Sequence, residues 1–317
     1  MTPLHVNHVL STCLLTSRIF ADLIDRAAAT APPATRITSS DRPDRRADVW
    51  HYHRPNLEWR LLPRSVVTVH HDLRDERAWM TMRSFLARYR EAAAVHCLNR
   101  TQAAILAEHG IAPARVIPHG VDRRVLPVPT EPRRVSGSRL CLGICSRRHP
   151  SGIKGEDRFL ALLGHLDPTR ISFVLVGGGR GPDAREARAK GFDVAHWERL
   201  PYPLMAEIYR RIDALLILSS FEGGPASLPE ALGSGVPVIC TDVGMCPDFV
   251  RDGVNGLVLT GRPSVDGARI MALLDADGRG LRVLNDGAFA AAPTIPSWEE
   301  VMAEWHQLYR KAALSAA

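Results

Sequence analysis

Lysine is nearly missing from this 317-residue chain. Of its 40 basic residues only Lys154, Lys190 and Lys311 are lysines, and the rest are arginines. The chain also lacks an apolar run long enough to cross a bilayer. Its N-terminus has no basic stretch followed by a continuous apolar one, so the expectation is no secretory leader and a cytoplasmic location. The six cysteines show neither zinc nor redox spacing. Cys141, Cys145 and Cys240 sit in apolar runs and read as small buried hydrophobes in a reducing compartment. No tract is biased enough to be disordered. What is left is a soluble globular chain of a length that suits two domains.

Positive charge is unevenly spread. Through Ser138 about twenty basic residues face about thirteen acidic ones; beyond it about twenty face about twenty-one. Arginine suits phosphate and carboxylate partners, although a solvated arginine-rich surface accounts for the excess equally simply. Trp79, Met82, Phe85, Leu86 and Tyr89 recur at helical spacing among Arg77, Arg83, Arg88 and Arg90. Such a stripe is ordinarily core packing; the other reading is peripheral contact with an anionic membrane at its inner face. No nucleic-acid partner is expected.

The most informative stretch runs from Ser219 to Leu232. An apolar run, 214–218, reads as a buried strand. Phe221-Glu222-Gly223-Gly224-Pro225 turns, a short helical pattern carries Glu230, and Val236 to Cys240 reads as the next strand. Glycines allow close backbone approach to a ligand, and a helix start near Ser227 and Leu228 offers N–H groups to an anion. Two carboxylates, Glu222 and Glu230, flank the turn and can accept from sugar hydroxyls.

This block resembles the E-x7-E signature of retaining GT-B glycosyltransferases, in particular glycosyltransferase family 4 (glycosyl transferases group 1). Gly235-Val236-Pro237-Val238, Asp242-Val243-Gly244 and Asn255-Gly256-Leu257-Val258 match the same block. Arg147 to Gly155 resembles the family's GR-x4-KG loop, lengthened by one or two residues. Ala47 to His53, Val66 to Asp72 and Val116 to Asp122 resemble its DVIHAH, VVTVH and VIPNGVD segments, with His119 in place of the commoner asparagine. Ser11-Thr12-Cys13 lacks the glycine pair often found there. The match is dense in the second half and thin in the first.

The resemblance implies an α/β protein of GT-B fold, two Rossmann-like domains facing across a cleft, with the last helix crossing back to the first. The expected division is 1–130 with 297–317, a linker at 131–138, and a nucleotide-sugar domain at 139–296. Ser297 to Trp305 carries a helix-capping pattern. Gly177-Gly178-Gly179-Arg180-Gly181 is followed at once by Pro182 and so reads poorly as a dinucleotide fingerprint.

The family also implies roles. Lys154 and one of Arg147 or Arg148 would bind the pyrophosphate, aided by main-chain N–H groups near Ser227 and Leu228. Glu230 would take the ribose hydroxyls, and Glu222 with Gly223 and Gly224 the donor sugar. His70 would close on that sugar, with His71 the alternative should the register slip by one; Asp72, His119 and Gly178 are further candidates. Glu222, His70 and Lys154 form the expected catalytic set. No DxD-like cluster stands near the motif, so neither metal nor other cofactor is expected beside a UDP- or GDP-sugar donor. The acceptor, whether a glycan, a lipid-linked molecule or another small anionic compound, is left open. Two other functions compete with transfer: epimerisation or hydrolysis of a sugar nucleotide on the same fold, and non-catalytic nucleotide-sugar binding.

Overall fold

The computed structural model describes residues 3–10, 18–77, 79–111, 115–133 and 137–315. The Ser11-Thr12-Cys13 connection lies outside them. Contacts divide the chain into two compact units, 1–120 with 297–317, and 121–296.

The first unit is a parallel sheet of β1 (Leu4–Val9), β2 (Thr35–Ser40), β3 (Val49–Tyr52), β4 (Ser65–Val69), β5 (Ala94–Cys97) and β6 (Arg115–Val116), in the order β2-β1-β3-β4-β5-β6. Its helices are α1 (Arg18–Ala29), α2 (Met82–Glu91), α3 (Arg100–Glu108) and the C-terminal helix Trp298–Leu314. Parallel strands linked by helical crossovers are buried on both faces, and their β-branched residues supply both. Val6, Val49 and Val66 pack with Leu23 of α1 and with Trp298, Met302, Trp305 and Tyr309 of the C-terminal helix. On the other face Val67, Val69 and Val95 pack with Phe85 and Tyr89 of α2 and Leu106 of α3. The stripe on α2 is therefore core: Phe85 and Tyr89 are buried, whereas Trp79 precedes the helix and stays exposed. The C-terminal helix is fixed at its start by a capping box, in which Ser297 Oγ accepts from the Glu300 amide and Glu300 Oε2 accepts from the Ser297 amide.

The second unit contains β7 (Leu140–Cys145), α4 (Glu156–Leu163), β8 (Ile171–Val176), α5 (Gly181–Ala189), β9 (Asp193–Trp197), α6 (Met205–Arg211), β10 (Ala214–Ile217), α7 (Ser227–Gly233), β11 (Val238–Cys240), α8 (Cys246–Phe249) and β12 (Gly256–Val258), then α9 (Pro263–Ala272) and α10 (Asp275–Ala291). The strand order is β12-β11-β10-β7-β8-β9, all parallel. The first strand lies in the middle and the order reverses between β7 and β10. In open α/β sheets that reversal opens a crevice at the carboxyl ends of the two strands. The loops leaving β7 and β10 are the Arg147–Gly155 loop and the Glu222 turn, so topology brings the two motifs together although 68 residues separate Lys154 from Glu222.

Candidate active site

Three contacts to main-chain carbonyls hold the β7 loop against the end of β10. The Ser220 amide donates to the Ile153 carbonyl at 2.8 Å, and Arg158 Nη1 reaches the carbonyls of Leu218 and Ser219. Gly155, at φ +81°, lies so close to Leu218 that a Cβ would overlap its carbonyl oxygen. This close approach sets Lys154 Nζ 2.5 Å from Glu222 Oε1, and Ser219 Oγ donates to the same oxygen at 2.8 Å. The Glu222 carboxylate is thus oriented by an ammonium and a hydroxyl, with a tenth of its side chain exposed against about a fifth for Lys154. Gly244 covers the turn from the other side: a Cβ there would stand 3.0 Å from Glu222 Cβ.

An expected result follows from this packing. Gly155→Ala should cost about 3 kcal/mol or more, because it adds steric overlap to the left-handed strain of a positive φ. Gly253→Ala is the control: Gly253 has a similar φ of +72°, but no atom lies within 4 Å of the place its methyl group would take. About 1 kcal/mol is expected there. Denaturant unfolding of both variants distinguishes clash from strain; equal losses would remove the argument for close approach.

The basic loop divides into a held arginine and an exposed one. Arg147 is exposed. Arg148 Nε binds Asp183 Oδ1 at 3.2 Å, and Asp183 Oδ2 takes Arg180 Nη1 at 2.8 Å. Arg180 is almost wholly buried and also bonds Ser146 through its carbonyl and hydroxyl. The Arg148 amide donates to the Gly178 carbonyl at 2.8 Å, which joins the glycine turn after β8 to the basic loop. Glu198 accepts from the amides of Gly179 and Gly181, and these bonds hold its carboxyl below the usual range.

At the helical end of the motif, Tyr209 of α6 donates to Glu230 Oε2 at 2.7 Å. Burial and the adjacent Glu230 charge hold the Tyr209 phenol well above its ordinary pKa, so it remains a donor. Helix α7 has only seven residues. The Leu228 amide already donates to the Pro225 carbonyl at 3.1 Å, and the Leu228 side chain is fully buried. Of the two expected main-chain donors, Leu228 is therefore committed within the turn. Gly223 is buried and Gly224 partly so.

In the first unit, His70 follows β4 and joins a line of hydrogen-bonded side chains. His70 Nε2 meets His53 Nδ1 at 2.8 Å, and His53 Nε2 meets His8 Nδ1 at 2.9 Å. His8 Nε2 meets the Tyr309 hydroxyl at 3.2 Å, which meets His51 Nδ1 at 2.8 Å. His51 Nε2 meets Thr68 Oγ1 at 2.6 Å, which reaches His96 Nε2 at 2.5 Å. His71 points elsewhere: its ring stacks on Phe85 at 4.0 Å, and its carbonyl accepts from Gln102. Asp72 is buried and bound through both oxygens by Arg74. His119 packs against Trp298 at 5.7 Å, and burial lowers its pKa to about 4. His8, His51 and His53 stand close enough to hold a metal ion among the described residues. Yet each of their six ring nitrogens already has a protein partner in the line just described.

The two parallel six-stranded units define the GT-B class. Sucrose-phosphate synthase from Thermosynechococcus elongatus superposes with a TM-score of 0.76 over 97% of this chain and 98% of its own, at 16% identity. Anabaena HepE, solved in complex with UDP and glucose, gives 0.71 over 96% of this chain and 98% of its own, at 15% identity. Residues 140–275, within the second unit, match the family model Glycosyl transferases group 1. Over 215 residues the chain is 31% identical to the D-inositol 3-phosphate glycosyltransferase of Xylanimonas cellulosilytica, covering 62% of this chain and 51% of that protein. Over 112 residues it is 32% identical to the lipopolysaccharide 1,6-galactosyltransferase of Escherichia coli, covering 32% and 31%. The chain spans about half the length, or less, of these curated relatives.

Several residues at the site carried no sequence signal. Asp183, Arg180 and Tyr209 act through partners distant in sequence, and only the fold shows them. Ser219 adjoins the motif and could have been found as a hydroxyl next to the Glu222 turn.

Proposed function

We propose that the chain is a retaining glycosyltransferase that moves a sugar from a nucleoside-diphosphate sugar to a hydroxyl acceptor without a metal ion. The observation that carries this reading is the Lys154–Glu222 pair at the β7–β10 crevice of a group 1 domain. The acceptor oxygen bonds to the anomeric carbon as the bond from that carbon to the diphosphate oxygen breaks. The hydroxyl proton passes to the departing diphosphate. Negative charge gathers on that diphosphate, where the Lys154 ammonium and the Arg148 guanidinium, oriented by Asp183, stabilise it.

Glu222 holds a hydroxyl of the transferred sugar, and Glu230, set by Tyr209, accepts from the ribose. Glu222 is cast as a holder of the sugar and not as a covalent nucleophile; Lys154 and Ser219 orient its carboxylate through Oε1. The UDP seen with HepE supports a uridine donor, with a GDP-sugar the other candidate. The arginine excess before Ser138 supports an anionic acceptor. The relatives' names are those of transferases and do not favour epimerisation or simple binding.

The test is release of nucleoside diphosphate from UDP-glucose, UDP-galactose and GDP-mannose, with inositol phosphate or neutral glycosides as acceptors. Release that requires an acceptor, persists in EDTA and gives a product of unchanged anomeric configuration is the expected result. Equal release with and without acceptor would instead indicate hydrolysis.

A further inference from the structure

The line of side chains from His70 to His96 has a property that none of its members has alone. A neutral imidazole has one N–H and one lone pair. The Tyr309 and Thr68 hydroxyls are buried with only ring nitrogens as hydrogen-bond partners, so each gives its hydrogen to one ring and accepts from the other. At each of the six junctions a donor must therefore meet an acceptor. Once one ring's tautomer is fixed, every other follows along the line. Two arrangements satisfy it. In one, His70 carries its hydrogen on Nε2 and presents a lone pair at Nδ1; in the other, it carries hydrogen on Nδ1 and presents a donor.

The rings are enclosed. His8, His51 and His96 are completely buried, as are Tyr309 and all but a hundredth of His53 and Thr68. Burial and the neighbouring histidines lower the pKa of His8 to about 3 and hold His51, His53 and His70 well below the ordinary value, so these rings are neutral near pH 7. Of the line's members His70 alone reaches the surface, and Phe20 packs edge-on against both His53 and His70.

We propose that this hydrogen-bonded line ties the tautomer of His70 to those of the buried rings, so that it reverses only when the whole line reverses, with Tyr309 as the link and His53, His8, His51 and Thr68 as positioning residues. No net proton moves; the line fixes whether Nδ1 of His70 donates to or accepts from a substrate hydroxyl. Its consequence for transfer rests on the function proposed above, whereas the tautomer itself does not. A metal at His8, His51 and His53 is the less favoured use of these rings, because their nitrogens are spent on one another, and the His51 and His53 rings stack at 4.3 Å rather than converge on a point.

The decisive measurement is long-range proton–nitrogen NMR of the histidine rings at pH 7.5. In the wild-type chain, His70, His53, His8 and His51 should all carry hydrogen on the same nitrogen, Nε2 in one arrangement or Nδ1 in the other. Tyr309→Phe keeps the ring and removes the hydroxyl, so it should leave His70 with two averaged nitrogens while the melting curve stays cooperative. Thr68→Val cuts the line nearer its inner end and should do the same. If turnover is found, Tyr309→Phe should lower kcat/KM about tenfold, as loss of an orienting partner does elsewhere, and shift its pH profile. Unchanged His70 nitrogens in both variants would overturn the coupling whatever the activity. So would stoichiometric zinc that moves the His8, His51 and His53 resonances. Failure to find turnover, with the nitrogens behaving as stated, would count against the proposed function and not against the coupling.

Discussion

Lys154→Ala should lower kcat/KM for the nucleotide sugar by about 10²–10³, the usual loss when one preorganised donor to a developing charge is removed. Its place makes this more than a surface charge. The loop is held by Gly155 and Arg158, so the ammonium is fixed before the donor arrives. Lys154→Arg should recover little, because a guanidinium is wider and cannot occupy the same point contact. Lys154→Ala also strips Glu222 of its cation, which should cost about 1–3 kcal/mol of stability as a largely buried carboxylate loses a partner.

The two effects can be separated. In Lys154→Ala with Glu222→Gln both charges are gone, so stability should return toward wild type while turnover stays low. Steady-state kinetics beside denaturant unfolding reads both. If the double variant regains turnover, Lys154 serves only to neutralise Glu222, and its assignment to the diphosphate fails.

The second large effect is acid lability confined to the first unit. His8 and His96 are lowered to about 3, and His71 and His119 to about 4, chiefly by burial. All four lie in the first unit. The unfolded chain takes up protons near pH ~6.5, whereas the folded one does not until about pH 3–4. Their stabilisation is therefore whole above about pH 6.5 and drains away as pH falls through the interval down to about 4. Each such histidine contributes a slope of about 1.4 kcal/mol per pH unit. Four together give about 5.5 kcal/mol per unit, against a domain stability of about 5–15 kcal/mol. The first unit should lose its tertiary structure near pH ~5, with uptake of several protons. Trp298 and Trp305 lie in its core and report by fluorescence; a full native signal at about pH 4.5 would contradict the prediction.

That the Lys154 loop and the Glu222 turn belong together was legible because both motifs are local. The Glu222 turn, the Lys154 loop and the strands behind them are each contiguous segments, and an alternating strand order joins them predictably. Which of Arg147 and Arg148 is held and which is exposed was not legible, since it depends on Asp183, which is 35 residues from Arg148. Nor was the histidine line. Its members come from four strands and the last helix, and the His8–Tyr309 bond spans 301 positions. One hint was present: β1, β3, β4 and β5 each place a histidine at or near the strand's end. Only the register, which pairs His8 with His51 and Thr68 with His96, turns that coincidence into contact. The stripe on α2 shows the converse. Its spacing was correctly amphipathic, but spacing alone cannot say whether a core or a membrane receives the apolar face.

The C-terminal helix gives the chain an order of assembly. Residues 121–296 form a unit continuous in sequence, whereas the first unit needs Trp298, Val301, Met302, Trp305 and Tyr309 to complete one face of its sheet. During vectorial synthesis the second unit can finish while the first still waits with apolar β1, β3 and β4 side chains uncovered. A segment made late closes one made early, so a chain that stopped between Pro296 and Trp298 would carry a whole second unit tethered to an unfinished first one.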